Sequence, residues 1–120
     1  MRSKRILLIE DNREVQLFVS RVAALEGAGV VAAATLSEGV RASFEEAFDL
    51  IVLDLELPDG NGLEALDQLD IGEAGPPVVV FTASSDPRLL QDAAQRGVRD
   101  VIPKPVTAAE LRRRLVAALT

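Results

Sequence analysis

Four short apolar runs in this chain each end in a side chain able to do chemistry. Ile6 to Ile9 leads into Glu10-Asp11, and Leu50 to Leu53 leads into Asp54. Val78 to Phe81 leads into Thr82, and Val101 to Pro103 leads into Lys104-Pro105. Short apolar runs bounded by turn residues read as strands buried on both faces, the pattern of a parallel sheet covered by helices. In open α/β sheets ligands bind beyond the carboxyl ends of the strands. Three acids, a hydroxyl and an ammonium gathered at that edge can hold a divalent cation and a phosphoryl group.

Each residue also has a plainer role available. Asp54 could simply cap the turn before Pro58, as an Asp at a strand end often does. Glu10 and Asp11 outweigh that reading if the first and third strands are neighbours, because three carboxylates then share one small volume. Such repulsion costs several kcal/mol unless a cation or a proton relieves it. Magnesium prefers carboxylate and water oxygens in octahedral geometry and removes the penalty. Lys104 lies between Pro103 and Pro105, which stiffen its backbone, so its ammonium is placed to serve Asp54 or a phosphoryl oxygen. Thr82 offers its hydroxyl to another such oxygen.

The elements that must position these residues alternate strand and helix five times, with no repeat or linker. The first strand covers Arg5 to Ile9, and Val15, Phe18, Val19 and Val22 then mark one face of a helix closed by Gly27 and Gly29. Val30 to Ala34 reads as a weaker second strand. Ser37 is the expected cap of a second helix running through Ala47, with Val40 and Phe44 inward. After the third strand, Pro58-Asp59-Gly60-Asn61-Gly62 is a dense turn signal. Asn61 and Glu64 form a capping-box pattern for a third helix that ends before Gly72. Asp86-Pro87 opens a fourth helix terminated by Gly97. Thr107 to Glu110 is a capping box for the last, whose expected buried stripe is Ala108, Leu111, Leu115 and Ala118, with Arg112 to Arg114 solvated. Right-handed crossovers between such strands give a parallel sheet, and the expected architecture is a three-layer α/β sandwich.

Composition narrows the chemistry further. At 120 residues and 48% hydrophobic content the chain reads as one globular domain over 1–120. It has no cysteine and no histidine, which excludes thiolate metal sites, thiol nucleophiles and imidazole catalysis. A formal charge of −6 argues against direct nucleic-acid binding. No apolar run approaches the length of a membrane span, and Met1 to Arg5 precedes too short an apolar stretch for a secretory signal, so a cytoplasmic location is expected.

Taken in order, Glu10-Asp11, Asp54 within Leu53-Asp54-Leu55-Glu56-Leu57-Pro58-Asp59-Gly60, Thr82-Ala83 and Lys104-Pro105 make the chain resemble the receiver domain of bacterial two-component response regulators over essentially its whole length. The resemblance implies a flavodoxin-like sheet of five parallel strands in the order 2-1-3-4-5 with five helices. It implies that Asp54 accepts a phosphoryl group from a sensor histidine kinase or a histidine phosphotransfer protein. Asp11, Asp54 and the carbonyl of Glu56 would hold magnesium, with Glu10 acting through a bound water. Lys104 would neutralise phosphate charge and Thr82 would move to meet it. The output face would be the fourth helix, fifth strand and fifth helix, here Pro87 to Leu119, read by a downstream effector protein or domain. The Lys104-Pro105 peptide is expected to be cis. On this reading the chain catalyses only its own phosphorylation and dephosphorylation, either alone or as part of a longer protein.

Two positions depart from the family pattern. Glu10 stands where Asp is usual. Val101 occupies a position where many members carry a Tyr or Phe that rotates as the Thr moves, and valine has no ring to swing. A phosphorylation-independent interaction module is the alternative that Val101 favours. A phosphohydrolase of the haloacid-dehalogenase type would need Asp-x-Asp after the first strand, and Glu10-Asp11-Asn12 breaks that spacing. A flavodoxin would need a phosphate-binding backbone nest where these acids stand, and the chain has no Trp or Tyr to stack on a flavin.

Overall fold

Every residue from Ile6 to Ile9 and from Leu50 to Leu53 is buried, as strands enclosed between two helical layers must be. The structure, a computed structural model, describes residues 3–69 and 75–120; the third helix stops at Gln68, before Gly72 as expected, and Gly72 itself lies outside the described residues. Five parallel strands form the sheet: β1 Arg5–Ile9, β2 Gly29–Ala33, β3 Leu50–Leu53, β4 Val78–Thr82 and β5 Asp100–Pro103. Their spatial order is β2-β1-β3-β4-β5. The register sets Ile9 opposite Leu53 and Thr82 opposite Pro103, so the candidate site residues leave the sheet along one edge.

Five helices cover the sheet: α1 Arg13–Ala24, α2 Leu36–Glu45, α3 Gly62–Gln68, α4 Pro87–Gln95 and α5 Ala108–Leu119. Strand alternation divides the core in two. Ile6, Leu8, Leu50, Val52 and Phe81 pack against α1 and α5 through Val19, Val22, Leu111 and Leu115. Leu7, Ile9, Ile51, Leu53 and Val80 pack against α2, α3 and α4 through Leu36, Leu63, Ala65 and Ala93. The predicted three-layer sandwich is therefore observed, with β2 one residue earlier than the sequence pattern indicated.

Three helix details differ from expectation. Thr35, not Ser37, caps α2, accepting from Glu38 N at 3.2 Å, and the helix stops at Glu45 instead of Ala47. The buried stripe of α2 runs through Leu36, Gly39 and Ser43, so Phe44, about 100° further round, is turned to solvent and 64% exposed. Small residues on that stripe let α2 approach the sheet more closely than an inward Phe would permit. At α5, Ala108 is exposed because it opens the first turn at the rim, leaving Leu111, Leu115 and Ala118 as the buried stripe.

The capping box of α5 is half formed. Thr107 accepts from Glu110 N, but the Glu110 carboxylate pairs with Arg113 and Arg114. The three arginines are engaged with acids: Arg112 with Glu26, Arg113 with Glu110, and Arg114 with both Glu110 and Asp100. Asp86 caps α4 with Pro87 in its first turn, and Gly97 beyond its end takes a left-handed φ of 86°, both as the sequence indicated.

Candidate functional site

The turn after β1 is tied down from three directions. Asn12 caps α1 by accepting from Val15 N at 3.1 Å. Gln16, one turn into that helix, donates from its side-chain amide to the Glu10 carbonyl at 2.6 Å. Glu10 N in turn reaches the Ala33 carbonyl on β2. These contacts hold Glu10 buried and Asp11 exposed at the mouth of the site. Across the seam, Asp54 N donates to the Ile9 carbonyl, so the third acid leaves β3 level with the first two.

The outcome is a cavity of about 210 Å³ lined by Glu10, Asp11, Asn12, Asp54, Glu56, Ala83 and Lys104. Carboxylate oxygens of Glu10, Asp11 and Asp54 all lie within 4.8 Å of one another. Lys104 Nζ donates to Glu10 Oε1 at 2.6 Å and to Asp54 Oδ2 at 3.3 Å. The other oxygens of Glu10 and Asp54 are also partnered: Glu10 Oε2 accepts from Asn12 N and Asp54 Oδ1 from Glu56 N. Burial pushes the Glu10 carboxyl above its ordinary pKa, against the pull of Lys104 and Asn12. Burial works in the opposite sense on Lys104, but its bond to Glu10 and the charge of Asp54 prevail and raise its pKa. The ammonium therefore keeps its proton at neutral pH.

Glu10, Asp11, Asp54 and Lys104 are thus brought together as the sequence predicted. The Glu56 side chain is exposed at the rim and its carboxylate does not join the cluster of three. Thr82 is buried at the end of β4, where its hydroxyl accepts from Ser84 N at 3.2 Å, and it does not line the cavity. The Lys104-Pro105 peptide is cis. Gly62 permits the close return of the chain beneath Asp54: a Cβ there would stand 2.4 Å from the Asp54 carbonyl oxygen. Sequence reasoning missed Asn12 and Gln16, whose positions at the cap and first turn of α1 were the available signal. It also missed Phe81 as the platform beneath Lys104, whose ammonium lies 5.3 Å from the ring centroid.

The response regulator receiver domain family model matches residues 6–116. The chain belongs to that family. Among relatives of this receiver domain, the KDP operon transcriptional regulatory protein KdpE of Escherichia coli is 35% identical over 114 residues, covering 95% of this chain and 50% of that protein. The sensory/regulatory protein RpfC of Xanthomonas campestris is 32% identical over 115 residues, covering 92% of this chain and 16% of that one. The receiver domain thus spans half or less of the length of these curated relatives. In structure it is similar to a CheY-like receiver domain protein from Methanospirillum hungatei, with a TM-score of 0.91 at 27% identity, covering 98% of this chain and 94% of that one. The non-phosphorylated HemR receiver domain of Leptospira biflexa gives a TM-score of 0.89 at 31% identity, covering 98% and 95%. No helix among the described residues is long and apolar enough to cross a membrane.

Proposed function

We propose that this receiver domain is a phosphorylation-dependent switch whose phosphoacceptor is Asp54. The observation that carries the reading is the convergence of three carboxylates on one ammonium in a small open cavity. Three negative charges against one positive leave a formal balance of −2, and oxygen ligands of this kind suit magnesium. Asp11, Asp54 and the Glu56 carbonyl would hold the ion, with Glu10 acting through a bound water. When bound, the ion supplies charge neutralisation for the phosphoryl oxygens.

The chain's own residues supply the rest. An Asp54 carboxylate oxygen attacks phosphorus of a phosphohistidine; an O–P bond forms, the N–P bond breaks, and the departing imidazole takes up a proton. Such transfers need positioning and charge neutralisation more than covalent help. The Glu56 amide and Lys104 fix the Asp54 carboxylate, and Lys104 then meets a phosphoryl oxygen as a point charge. Thr82 leaves Ser84 N to donate to the phosphoryl group, biasing the face made by α4, β5 and α5. The donor is a sensor histidine kinase or a histidine phosphotransfer protein, and the reader is a downstream effector protein or domain, all in the cytoplasm. No turnover beyond the domain's own aspartyl phosphate is assigned.

A second reading, a phosphorylation-independent interaction module, is favoured by one observation. Position 101 is a half-buried valine whose carbonyl accepts from Arg114, so no ring is present to report a movement of Thr82. Incubation with acetyl phosphate and magnesium separates the two. The switch predicts acid-labile phosphate on the wild type, none on Asp54→Asn and none in the presence of EDTA. An unlabelled wild type, under conditions that label a control receiver, overturns it. Labelling with no change in partner affinity favours the second reading.

A further inference from the structure

Asp59 lies three residues past Glu56, at the tip of a small hairpin that pairs Glu56–Leu57 with Gly60–Asn61. Its carboxylate reaches out of that hairpin to the start of α2. Leu36 N donates to Oδ1 at 2.8 Å and Ser37 N to Oδ2 at 3.2 Å, with the Ser37 hydroxyl at 3.4 Å. Those amides belong to the first turn of α2, where the helix has no internal acceptors to offer. Thr35 already serves the third, from Glu38. The bonds from Leu36 and Ser37 hold the Asp59 carboxyl below its ordinary pKa despite some desolvation.

Helix α2 is equally fixed against β1. A Cβ on Gly39 would stand 2.5 Å from Ile9 Cδ1, so the helix is pressed onto the residue that precedes Glu10. Its first residue, Leu36, also meets the hairpin tip, since a Cβ on Gly60 would lie 2.9 Å from Leu36 Cδ1. The helix therefore bridges the exit of β1, which carries Glu10 and Asp11, and the hairpin after β3, which carries Glu56.

We infer that Asp59 is a positioning residue for the acid cavity: through α2 it sets where Glu56 stands relative to Glu10 and Asp11, and thereby the affinity for a divalent cation. The inference rests on the magnesium reading proposed above. It differs from a capping role alone, which would stabilise α2 without touching the cavity.

Isothermal titration of the chain with magnesium tests it, alongside thermal melts. Asp59→Ala is expected to weaken magnesium binding about tenfold, the lower end of what outer supports of metal ligands carry. Asp59→Asn, which keeps one acceptor for Leu36 N, falls between. Thr35→Ala removes a cap from the same helix end without touching the hairpin, so it lowers the melting temperature yet binds magnesium like wild type. Equal affinity in Asp59→Ala and wild type, or equal weakening in Thr35→Ala, overturns the inference alone. A wild type that binds no magnesium overturns the reading of the cavity together with it.

Discussion

Among the described residues Lys104 is the only cation lining the acid cavity, and it serves two buried carboxylates at once. Its side chain is 18% exposed while those of Glu10 and Asp54 are 2% and 8% exposed, so water does little to replace it. Removing one partner of a buried pair leaves the other charge uncompensated. Lys104→Met keeps the packing over Phe81 and deletes the charge, and is expected to destabilise the metal-free fold by about 1–3 kcal/mol at neutral pH. Urea unfolding in EDTA reads this directly; an unchanged or stabilised variant would show that the ammonium is not compensating the acids. At this scale the sequence was informative where a side chain follows an apolar strand, as for Glu10, Asp54 and Lys104, which the fold brings together. It marked the places of Gln16 and Asp59 in a helix turn and a loop but not their contacts, because both act on backbone groups of other segments.

Among the elements, α5 carries a titratable network of its own. Hydrogen bonds from Arg113 and then Arg114 hold the Glu110 carboxyl down at about 2, against an ordinary 4.5. A carboxyl lowered in the fold stabilises above its unfolded pKa, and that contribution is lost as pH falls from 4.5 towards 2. Glu110→Gln is therefore expected to melt slightly below wild type at neutral pH, with the two curves converging through that acidic window. The gap stays small because the group is solvated, and high salt narrows it. Calorimetry across pH is the check, and a pH-independent gap would contradict the assignment. The same helix shows how far periodicity reaches. Leu111, Leu115 and Ala118 were legible from their spacing, whereas Ala108 shares that spacing but is exposed as the first residue of the helix. In α2 the pattern misplaced Phe44 because Gly39 and Ser43, too small to register as apolar, define the buried stripe. The Glu56–Leu57 and Gly60–Asn61 hairpin is too short to leave an alternating pattern, so only its turn residues were readable.

For the molecule as a whole, topology turns scattered residues into a site. Placing β1 between β2 and β3 brings Glu10 and Asp11 beside Asp54, 43 positions from Asp11 in the chain, and placing β5 at the sheet edge lets Lys104 reach across to both strands. The parallel sheet was legible because apolar runs alternating with helices permit few arrangements, whereas the strand order followed only from the family resemblance. How the acids share their hydrogen bonds was not, since that depends on distances of a few tenths of an ångström. The central claim is that Asp54, among four neighbouring acids, is the one that takes the phosphoryl group. Borohydride reduces an acyl phosphate to an alcohol and so marks the acceptor for peptide mass spectrometry. After incubation with acetyl phosphate and magnesium, the account predicts a reduced side chain at position 54 alone, lost when EDTA is present. Reduction at Glu10, Asp11 or Glu56 in place of Asp54, or none in a protein that binds magnesium, would contradict it.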